Sequence, residues 1–331
     1  MDDSTSTIRV AILGGGLAGI AMLRGLLKYP HIMVDMYESS PTFRDEGSAV
    51  ELSAYAQEAL YKLDPSLEQC LARAGAIPTE TEVRLASGPM AGQAIAANCS
   101  NGDGPHKSVV GRQELLAELT AGLPPRSLHF NSRVTTIREG HINGTQNGNG
   151  AAGAVLAFAD GSQKRYDVVI GADHVQGVSR KHVMGPTTAA SEPQPTGFWG
   201  LHVTVPVERA RSALGSEFLD RAVAGDGPTQ TRWVGDGTFM QHELLNGGRD
   251  VQLVVYARLR GGCSDDDDSE SHWVKIFTPE EFGRIFANCE PEVCKGIVKV
   301  CAFPKYWPQL HRDKRLQSTA PVSSQLTTSA F

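Results

Sequence analysis

The fold is decided by the stretch Ile8-Arg-Val-Ala-Ile-Leu-Gly-Gly-Gly-Leu-Ala-Gly19, in which a short apolar strand leads straight into Gly14-x-Gly16-x-x-Gly19. The apolar spacing after the glycines predicts a helix. Gly14 permits a tight turn, Gly16 lets the backbone approach a diphosphate, and Gly19 allows the helix to pack closely on the strand. The N–H groups that open the helix would face the phosphates. The stretch therefore predicts a dinucleotide-binding unit.

A second strand, residues 32–37, completes a β-α-β unit and ends at Glu38, which is 19 residues beyond Gly19. A carboxylate at this place can accept hydrogen bonds from both ribose hydroxyls. The same charge repels a 2′-phosphate, so the tightly held nucleotide is expected to be FAD or NAD and not NADP. The alternative is a glycine-rich turn with an incidental surface glutamate.

The chain leaves the β-α-β pattern after Glu38 and returns to it only at the apolar strand Tyr166–Ile170, which Gly171-Ala-Asp173 follows. A NAD-dependent dehydrogenase would continue with further βαβ units, and this alternative predicts tight NAD binding without a flavin. An interrupted unit favours a bound flavin. The predicted fold class is α/β, a Rossmann-like FAD-binding domain with an inserted antiparallel-sheet substrate domain.

The order of predicted elements suggests how the chain is divided. Alternating strands at 201–205, 238–244 and 251–257 indicate a separate antiparallel sheet. We expect a FAD-binding domain over 1–190 with a flexible hairpin loop at 143–153, a substrate-binding sheet domain over 191–275, a helical return segment over 276–315 and a disordered tail over 316–331.

Composition excludes several classes of protein. The 331 residues carry a net charge of −6 with no large basic field, so nucleic acid is not an expected partner. The longest uncharged apolar stretch, 14 residues from Val10 to Leu23, is too short and too rich in glycine to span a membrane. The six cysteines form no CxxC pair, so no disulfide framework or metal site is expected. The acidic start favours a cytoplasmic location, and the oligomeric state stays open.

Beyond these patterns, the sequence resembles the aromatic-ring flavoprotein monooxygenases of the salicylate-hydroxylase-like branch, of a fungal type. Five segments carry the resemblance, which spans most of residues 8–315. They are Val10–Gly19 with Glu38, Phe43–Ser53, Val110–Leu116, Asp167–Arg180 and Trp273–Trp307.

The resemblance assigns roles to residues of this chain. The glycines would hold the FAD pyrophosphate, Glu38 the adenosine ribose, and Asp173 would lie by the pyrophosphate on the path of a transient NAD(P)H. Gly47 and Ala49 would let the backbone come close to the FAD, and Arg112 would contact the cofactor from the start of a helix. The implied cofactor-binding residues are Gly14, Gly16, Gly19, Glu38, Gly47, Ala49, Arg112 and Asp173, with Arg44 and Arg180 as further candidates.

The chain departs from the family pattern in two places. His174 stands where the family has a glycine after the aspartate. No Gly-Asp-Ala-type motif precedes Phe331, so we expect a C-terminally shortened product whose flavin site lacks one wall.

The resemblance implies an oxidoreductase that uses NAD(P)H and O₂. NAD(P)H would reduce FAD, O₂ would add at flavin C4a, and the hydroperoxide would hydroxylate an aromatic or phenolic small molecule of secondary metabolism. The alternative is an impaired remnant, or a nucleotide-binding protein without turnover. No catalytic residue is assigned, although His202, His242 and Tyr256 are candidates for a base or donor. Four large side chains could line the substrate pocket or be plain core: Trp199, Trp233, Phe239 and Met240.

Overall fold

A computed structural model describes residues 7–43, 49–98, 107–141, 152–174, 177–185, 194–258, 274–276, 278–302 and 309–315. Arg44, Gly47, most of the predicted 143–153 loop and the 316–331 tail lie outside the described residues.

The helices are α1 (Leu17–Leu26), α2 (Ala54–Leu63), α3 (Cys70–Arg73), α4 (Arg112–Thr120), α5 (Val178–Met184), α6 (Val207–Leu214), α7 (Ser216–Ala224), α8 (Pro279–Ile285) and α9 (Glu292–Cys301). The strands are β1 (Ile8–Leu13), β2 (Ile32–Tyr37), β3 (Ala49–Leu52), β4 (Ile77–Pro78), β5 (Thr81–Leu85), β6 (Ala94–Asn98), β7 (Ser108–Gly111), β8 (Leu128–His129), β9 (Val134–His141), β10 (Ala152–Phe158), β11 (Gln163–Tyr166), β12 (Val168–Gly171), β13 (Gln194–Pro206), β14 (Gln230–Val234), β15 (Thr238–Leu245), β16 (Asp250–Arg258), β17 (Val274–Ile276) and β18 (Gln309–Arg315).

The first sheet is parallel and has the order β12-β1-β2-β8. β1 is buried along its second half and lies between β2 and β12, so a strand from late in the sequence pairs beside the first one. The strand predicted at 166–170 is divided, because Tyr166 ends β11 and β12 begins at Val168. Helices α1 and α4 pack on one face through apolar side chains at helical spacing, among them Ile20, Leu23, Leu115 and Leu119.

The other face of this sheet is covered by the antiparallel meander β11-β10-β9. Tyr37, Leu156, Phe158 and Tyr166 form the apolar layer between them. β9 and β10 pair in antiparallel register on either side of the segment predicted to form a hairpin loop, which lies mostly outside the described residues and stays a prediction.

The second sheet has the order β17-β18-β13-β16-β15-β14-β5-β6 and is antiparallel except where β14 runs parallel to β5. Helices α6–α9 cover one face, where Trp199, Trp233, Met240 and Phe282 are buried. Three strands of this sheet come from parts of the chain that were not predicted to contribute to it. β5 and β6 come from the part of the chain assigned to the first domain, and β18 comes from the segment expected to be helical. The domain boundaries themselves stay a prediction.

The small antiparallel sheet β3-β7-β4 lies between the two larger ones. β3 pairs with β7, and β7 ends at Gly111, the residue before α4. This sheet links the glycine turn to the second sheet. No helix within the described ranges is long and apolar enough to cross a membrane.

Candidate functional site

The three glycines of the turn between β1 and α1 are required for different reasons. Gly14 has φ +104°, and a side chain there would overlap the carbonyl of Ala172. A side chain at Gly19 would overlap the carbonyl oxygen of Gly14, so this glycine sets the close approach of helix to strand. At Gly16 a Cβ would meet just one atom within 4 Å among the described residues, Nη2 of Arg112 at 3.6 Å. Protein packing therefore explains Gly14 and Gly19, but it leaves the surface of Gly16 free for a ligand.

The start of α1 faces the same space. Gly16 is the N-cap residue and supplies no side-chain cap to the first helical amides. The first turn of a helix carries N–H groups without intrahelical partners and a partial positive charge. The first turn of α1 contains no acidic side chain that would neutralise that charge. The geometry suits a phosphate group.

Glu38 lies next to this turn, as the sequence predicted. Its Oε2 accepts a hydrogen bond from the Gly15 amide at 2.8 Å, and its Oε1 accepts one from the Ser40 amide at 2.8 Å. Burial raises the pKa of Glu38, but the hydrogen bonds from Ser40 and Gly15 more than offset this effect, so the pKa lies below its usual value. The carboxylate is thus held ionised, and a carboxylate has further lone pairs for a sugar hydroxyl.

Arg112 is the first residue of α4, and its guanidinium lies over Gly16. It makes no hydrogen bond or ion pair with the part of the chain that the structure describes. A planar guanidinium that is unpaired beside a helix N-terminus is suited to bind a phosphate through two parallel hydrogen bonds. The structure thus brings Gly16, Glu38 and Arg112 around one crevice, which we call the glycine crevice.

Asp173 reaches the crevice with its backbone. A Cβ built at Gly14 would lie 3.0 Å from the Asp173 Cα. Its carboxylate is directed away from the crevice and toward α5. It accepts hydrogen bonds from the Ser179 amide at 3.0 Å and from the Ser179 hydroxyl, and so satisfies a donor in the first turn of α5. The proposed contact between Asp173 and a cofactor stays a prediction, and the observed role of the carboxylate is to fix α5, where Arg180 also lies.

His174 adopts φ +69°, a left-handed conformation that favours glycine. The family's glycine at this position therefore has a backbone reason. The chain keeps that backbone geometry with a side chain in place, and the side chain is exposed.

Ala49 opens β3 and pairs with Gly111, one residue before Arg112. It therefore lies between the glycine crevice and the second sheet. Gly47 and Arg44, the other residues assigned to this segment, lie outside the described residues.

The candidate residues on the second sheet separate onto its two faces. His202, Phe239 and Tyr256 lie on the face turned away from α6–α9, which we call the outer face. His202 Nε2 and Tyr256 Oη are 2.9 Å apart, and the Tyr256 ring lies over Gly200, where a Cβ would overlap it. Phe239 is opposite Tyr256 in the strand pairing.

His242 points the other way, into the core beside Trp233 and Phe218. Burial lowers the pKa of His242 to about 4, so the ring stays neutral at physiological pH. Of the four large side chains expected in the pocket or core, Phe239 alone lies on the outer face, and the other three are buried on the helix side: Trp199, Trp233 and Met240.

Sequence reasoning missed a row of buried polar side chains on the outer face. Gln230, Glu243 and Gln252 occupy neighbouring strands in direct register and are 1%, 3% and 2% exposed. The signal in the sequence is a glutamate inside the apolar strand Thr238-Phe-Met-Gln-His-Glu-Leu-Leu245. A charged residue is seldom fully buried unless other groups pair with it.

No protein-family model matches the chain. It is 28% identical to the 6-methylsalicylate 1-monooxygenase of Aspergillus terreus over 258 residues, which is 76% of this chain and 54% of that protein. It is 25% identical to the salicylate hydroxylase of Pseudomonas putida over 308 residues, covering 93% of this chain and 68% of the relative.

The chain thus spans about half the length of the first of these relatives. Among solved structures, CtdE in complex with FAD and a substrate matches with a TM-score of 0.68 at 18% identity, over 93% of this chain and 69% of that one. At that identity the match shows the fold. In sequence, the chain is similar to FAD-dependent aromatic-ring monooxygenases of the salicylate hydroxylase type, and it shares their fold.

Proposed function

We propose that the chain binds FAD in the glycine crevice and hydroxylates an aromatic or phenolic small molecule with NAD(P)H and O₂. One observation carries the proposal. The Arg112 guanidinium lies 3.6 Å from the position of a Gly16 Cβ, and Glu38 is bonded to the neighbouring Gly15 amide. A positive group and an acid suited to bind a ribose therefore flank the Gly16 backbone, where Nη2 of Arg112 is the one atom of the described residues within 4 Å of a Cβ built there.

The residues present fit the chemistry of FAD. The surface at Gly16 and the start of α1 suit a diphosphate, with Arg112 as its counter-charge. Glu38 suits the adenosine ribose. Gly14 and Gly19 shape the turn, Ala49 pairs with the residue before Arg112, and the Asp173 Cα lies against Gly14. Gly47 belongs to the same proposal through the family resemblance.

When bound, FAD would supply both the reduction by NAD(P)H and the activation of O₂. The work left to the protein is binding, orientation and exclusion of water. Arg112 neutralises phosphate charge at the start of α4, and the lowered pKa of Glu38 keeps its carboxylate available as an acceptor at neutral pH. Neither residue discriminates NADH from NADPH as the transient reductant.

The outer face of the second sheet is the proposed binding surface for the aromatic substrate. His202 and Tyr256 offer a hydrogen-bonded pair beside the Phe239 ring. A phenolic hydroxyl that enters this pair could pass its proton to Nε2 of His202, which makes the ring more electron-rich and easier to hydroxylate. His242 has no part in this role, because it is buried on the opposite face.

A relative's name supports the substrate class. The Aspergillus protein is called a 6-methylsalicylate 1-monooxygenase, and salicylates are phenols with a neighbouring carboxylate. We therefore propose a phenolic acid or a related small aromatic as the substrate. The cytoplasmic location expected from the sequence stays a prediction.

The proposal is tested by loading the full chain with FAD and following NADH and NADPH oxidation with a panel of salicylate-type phenols under ¹⁸O₂. Phenol-stimulated oxidation and a product that carries one labelled oxygen are expected. A His202→Phe variant should retain FAD and lose most of the product. Flavin binding without product from any phenol would instead favour the nucleotide-binding protein without turnover.

A further inference from the structure

Four polar side chains form a continuous row across the outer face of the second sheet, and we call them the polar row. Thr81 in β5 is opposite Gln230 in β14, Gln230 is opposite Glu243 in β15, and Glu243 is opposite Gln252 in β16. The last three are almost fully buried. A buried row of this kind must satisfy its own hydrogen bonds, since water does not reach it.

The hydrogen bonds of the row converge on Glu243. The Thr81 hydroxyl donates to Gln230 Oε1 at 2.9 Å, and Gln230 Nε2 donates to Glu243 Oε2 at 2.6 Å. From the other side, Gln252 Nε2 donates to Glu243 Oε1 at 2.7 Å. This orientation of the Gln252 amide follows from complementarity, because the reverse would set its oxygen against the carboxylate and its nitrogen against an N–H group.

At the Gln252 end, the polar row contacts the start of β3, which pairs with the strand that leads to Arg112. With its nitrogen toward Glu243, the Gln252 amide turns its oxygen to the Ala49 N–H and accepts a hydrogen bond of 2.9 Å. β3 is an edge strand of its small sheet, so Gln252 supplies the partner that no further strand provides. Ala49 in turn pairs with Gly111, which precedes Arg112. Glu243 is therefore connected to the crevice through Gln252, Ala49 and β7.

The charges around the row do not explain why an acid is buried there. Arg232 and Lys107 both face Glu51, at 3.4 and 3.2 Å, and neither forms a salt bridge with Glu243. Burial raises the pKa of Glu243, and the hydrogen bonds from Gln230 and Gln241 and the charge of Arg232 offset only part of that shift. A buried acid of this kind is costly, and packed apolar residues would often be at least as stable. The two amide groups that donate to its carboxylate point to a role in orientation.

We propose that Glu243 is a positioning residue for the cofactor. Its carboxylate sets the orientation of Gln252, and Gln252 holds the Ala49 amide, so the start of β3 and the Gly111–Arg112 junction keep one position against the outer face. The inference rests on the proposed function, in that the ligand on this segment is FAD. The second sheet and the glycine crevice are then connected through the side-chain amide of Gln252.

The test compares four variants of the full chain. Glu243→Leu removes the acceptor, and Gln252→Leu removes the connection to Ala49 directly. Thr81→Val cuts the opposite end of the row and leaves the Ala49 bond in place, so it is the matched control. Glu243→Gln is the conservative variant. The new amide oxygen can accept from Gln252, which keeps its orientation. The new amide nitrogen can donate to Gln230 if the Gln230 amide reverses, because the Thr81 hydroxyl can then accept from the Gln230 nitrogen.

Two readouts are used: hydrogen exchange of the peptide that contains residues 49–52, and FAD affinity from flavin fluorescence. Glu243→Leu and Gln252→Leu should each speed exchange of that peptide and weaken FAD binding by about fivefold to tenfold, the factor expected for one lost hydrogen bond. Glu243→Gln and Thr81→Val should leave both readouts within about twofold of the unmodified chain.

The inference is overturned if Thr81→Val has the same effect as Glu243→Leu, or if exchange rises equally across the whole second sheet, because the row would then serve stability alone. It is also overturned if both leucine variants leave residues 49–52 as protected as before. If no form of the chain binds FAD, the proposed function fails, and the exchange data still decide whether Glu243 positions Ala49. If Glu243→Leu does not fold, Gln252→Leu carries the test.

Discussion

The two ends of the α1–α4 helix pair each carry an arginine, in opposite surroundings. At one end, Arg24 donates to the carbonyls of Leu119 and Ala121 and forms a salt bridge of 2.9 Å with Asp64. At the other end, Arg112 lies over Gly16 and has no hydrogen-bonding partner within the described ranges. Leu119 and Ala121 lie where α4 ends, so Arg24 satisfies carbonyls that the helix leaves without partners.

The two ends of the helix pair differ in what satisfies their polar groups. The structural end is closed, since each of the three guanidinium nitrogens of Arg24 donates to an acceptor of the protein itself. At the crevice end, the Arg112 cation, the start of α1 and the Gly16 backbone lie together, and within the described ranges Arg112 has no partner and the start of α1 has no side-chain cap from Gly16, so this end is suited to a bound ligand. Variants of Gly16 and Arg112 should therefore change ligand affinity, whereas variants of Arg24 should change stability.

The largest effect is expected at Gly16. Its backbone has φ −74° and ψ −179°, which any residue adopts, and a side chain there meets little protein. Gly16→Val should fold normally and weaken FAD binding at least about a hundredfold, which corresponds to about 3 kcal/mol. Flavin fluorescence titration and urea unfolding measure the two quantities separately.

Gly19→Ala is the matched comparison, because its new methyl group would overlap the Gly14 carbonyl oxygen. It should lower the free energy of unfolding by about 1–3 kcal/mol, the usual cost of overpacking. Equal stability losses for the two variants would contradict the distinction between Gly16, which is left open for a ligand, and Gly19, which is required by packing.

Replacing each arginine by methionine gives the next largest effect. Arg24→Met should lower the free energy of unfolding by about 2 kcal/mol, because the Arg24 side chain is 12% exposed and its hydrogen bonds are charge-assisted. Arg112→Met should leave stability within about 0.5 kcal/mol and weaken FAD binding by about tenfold or more. The two variants are compared by urea unfolding with and without FAD. A large stability loss in Arg112→Met would contradict the account.

A smaller effect is expected at His174, at the edge of the crevice. Its left-handed φ of +69° strains any residue except glycine. His174→Gly should raise the free energy of unfolding by about 0.5 kcal/mol, since relief of strain exceeds the entropy that glycine adds to the unfolded chain. Thermal unfolding monitors the change, and His174→Ala, which keeps the strain, is its control.

The smallest effect concerns the pH dependence of Glu38. Because the folded pKa lies below the unfolded one, the hydrogen bonds from Gly15 and Ser40 stabilise the fold above the usual pKa of 4.5. That contribution is lost as pH falls through the lower, folded value. Glu38→Gln should flatten the decline of stability in this acidic range, as measured by urea unfolding at a series of pH values. An unchanged slope would mean that the carboxylate is not held as described.

Local sequence was enough to predict that Gly16 and Glu38 lie together, but it was insufficient for Arg112 and for the second sheet. Gly14–Gly19 and Glu38 lie within one short β-α-β unit, so their spacing predicts their proximity. Arg112 is brought to Gly16 by the packing of α1 on α4, and the family resemblance, not the spacing, singled it out.

The faces of the second sheet depend on register between distant strands. His202 and His242 look equivalent in sequence, but strand pairing places one beside Tyr256 and the other beside Trp233. The polar row joins residues of β5 and β14 that are 149 positions apart. Its members are ordinary polar residues when read singly, and only the assembled sheet shows that their hydrogen bonds converge on Glu243.

The most direct test of the account is calorimetric titration of the full unmodified chain with FAD, and with NAD in parallel, at low salt. The account predicts saturable binding of one FAD per chain, weakened by added salt as expected for a guanidinium–phosphate contact, and much weaker binding of NAD. Absence of FAD binding, or tight NAD binding in its place, would contradict it.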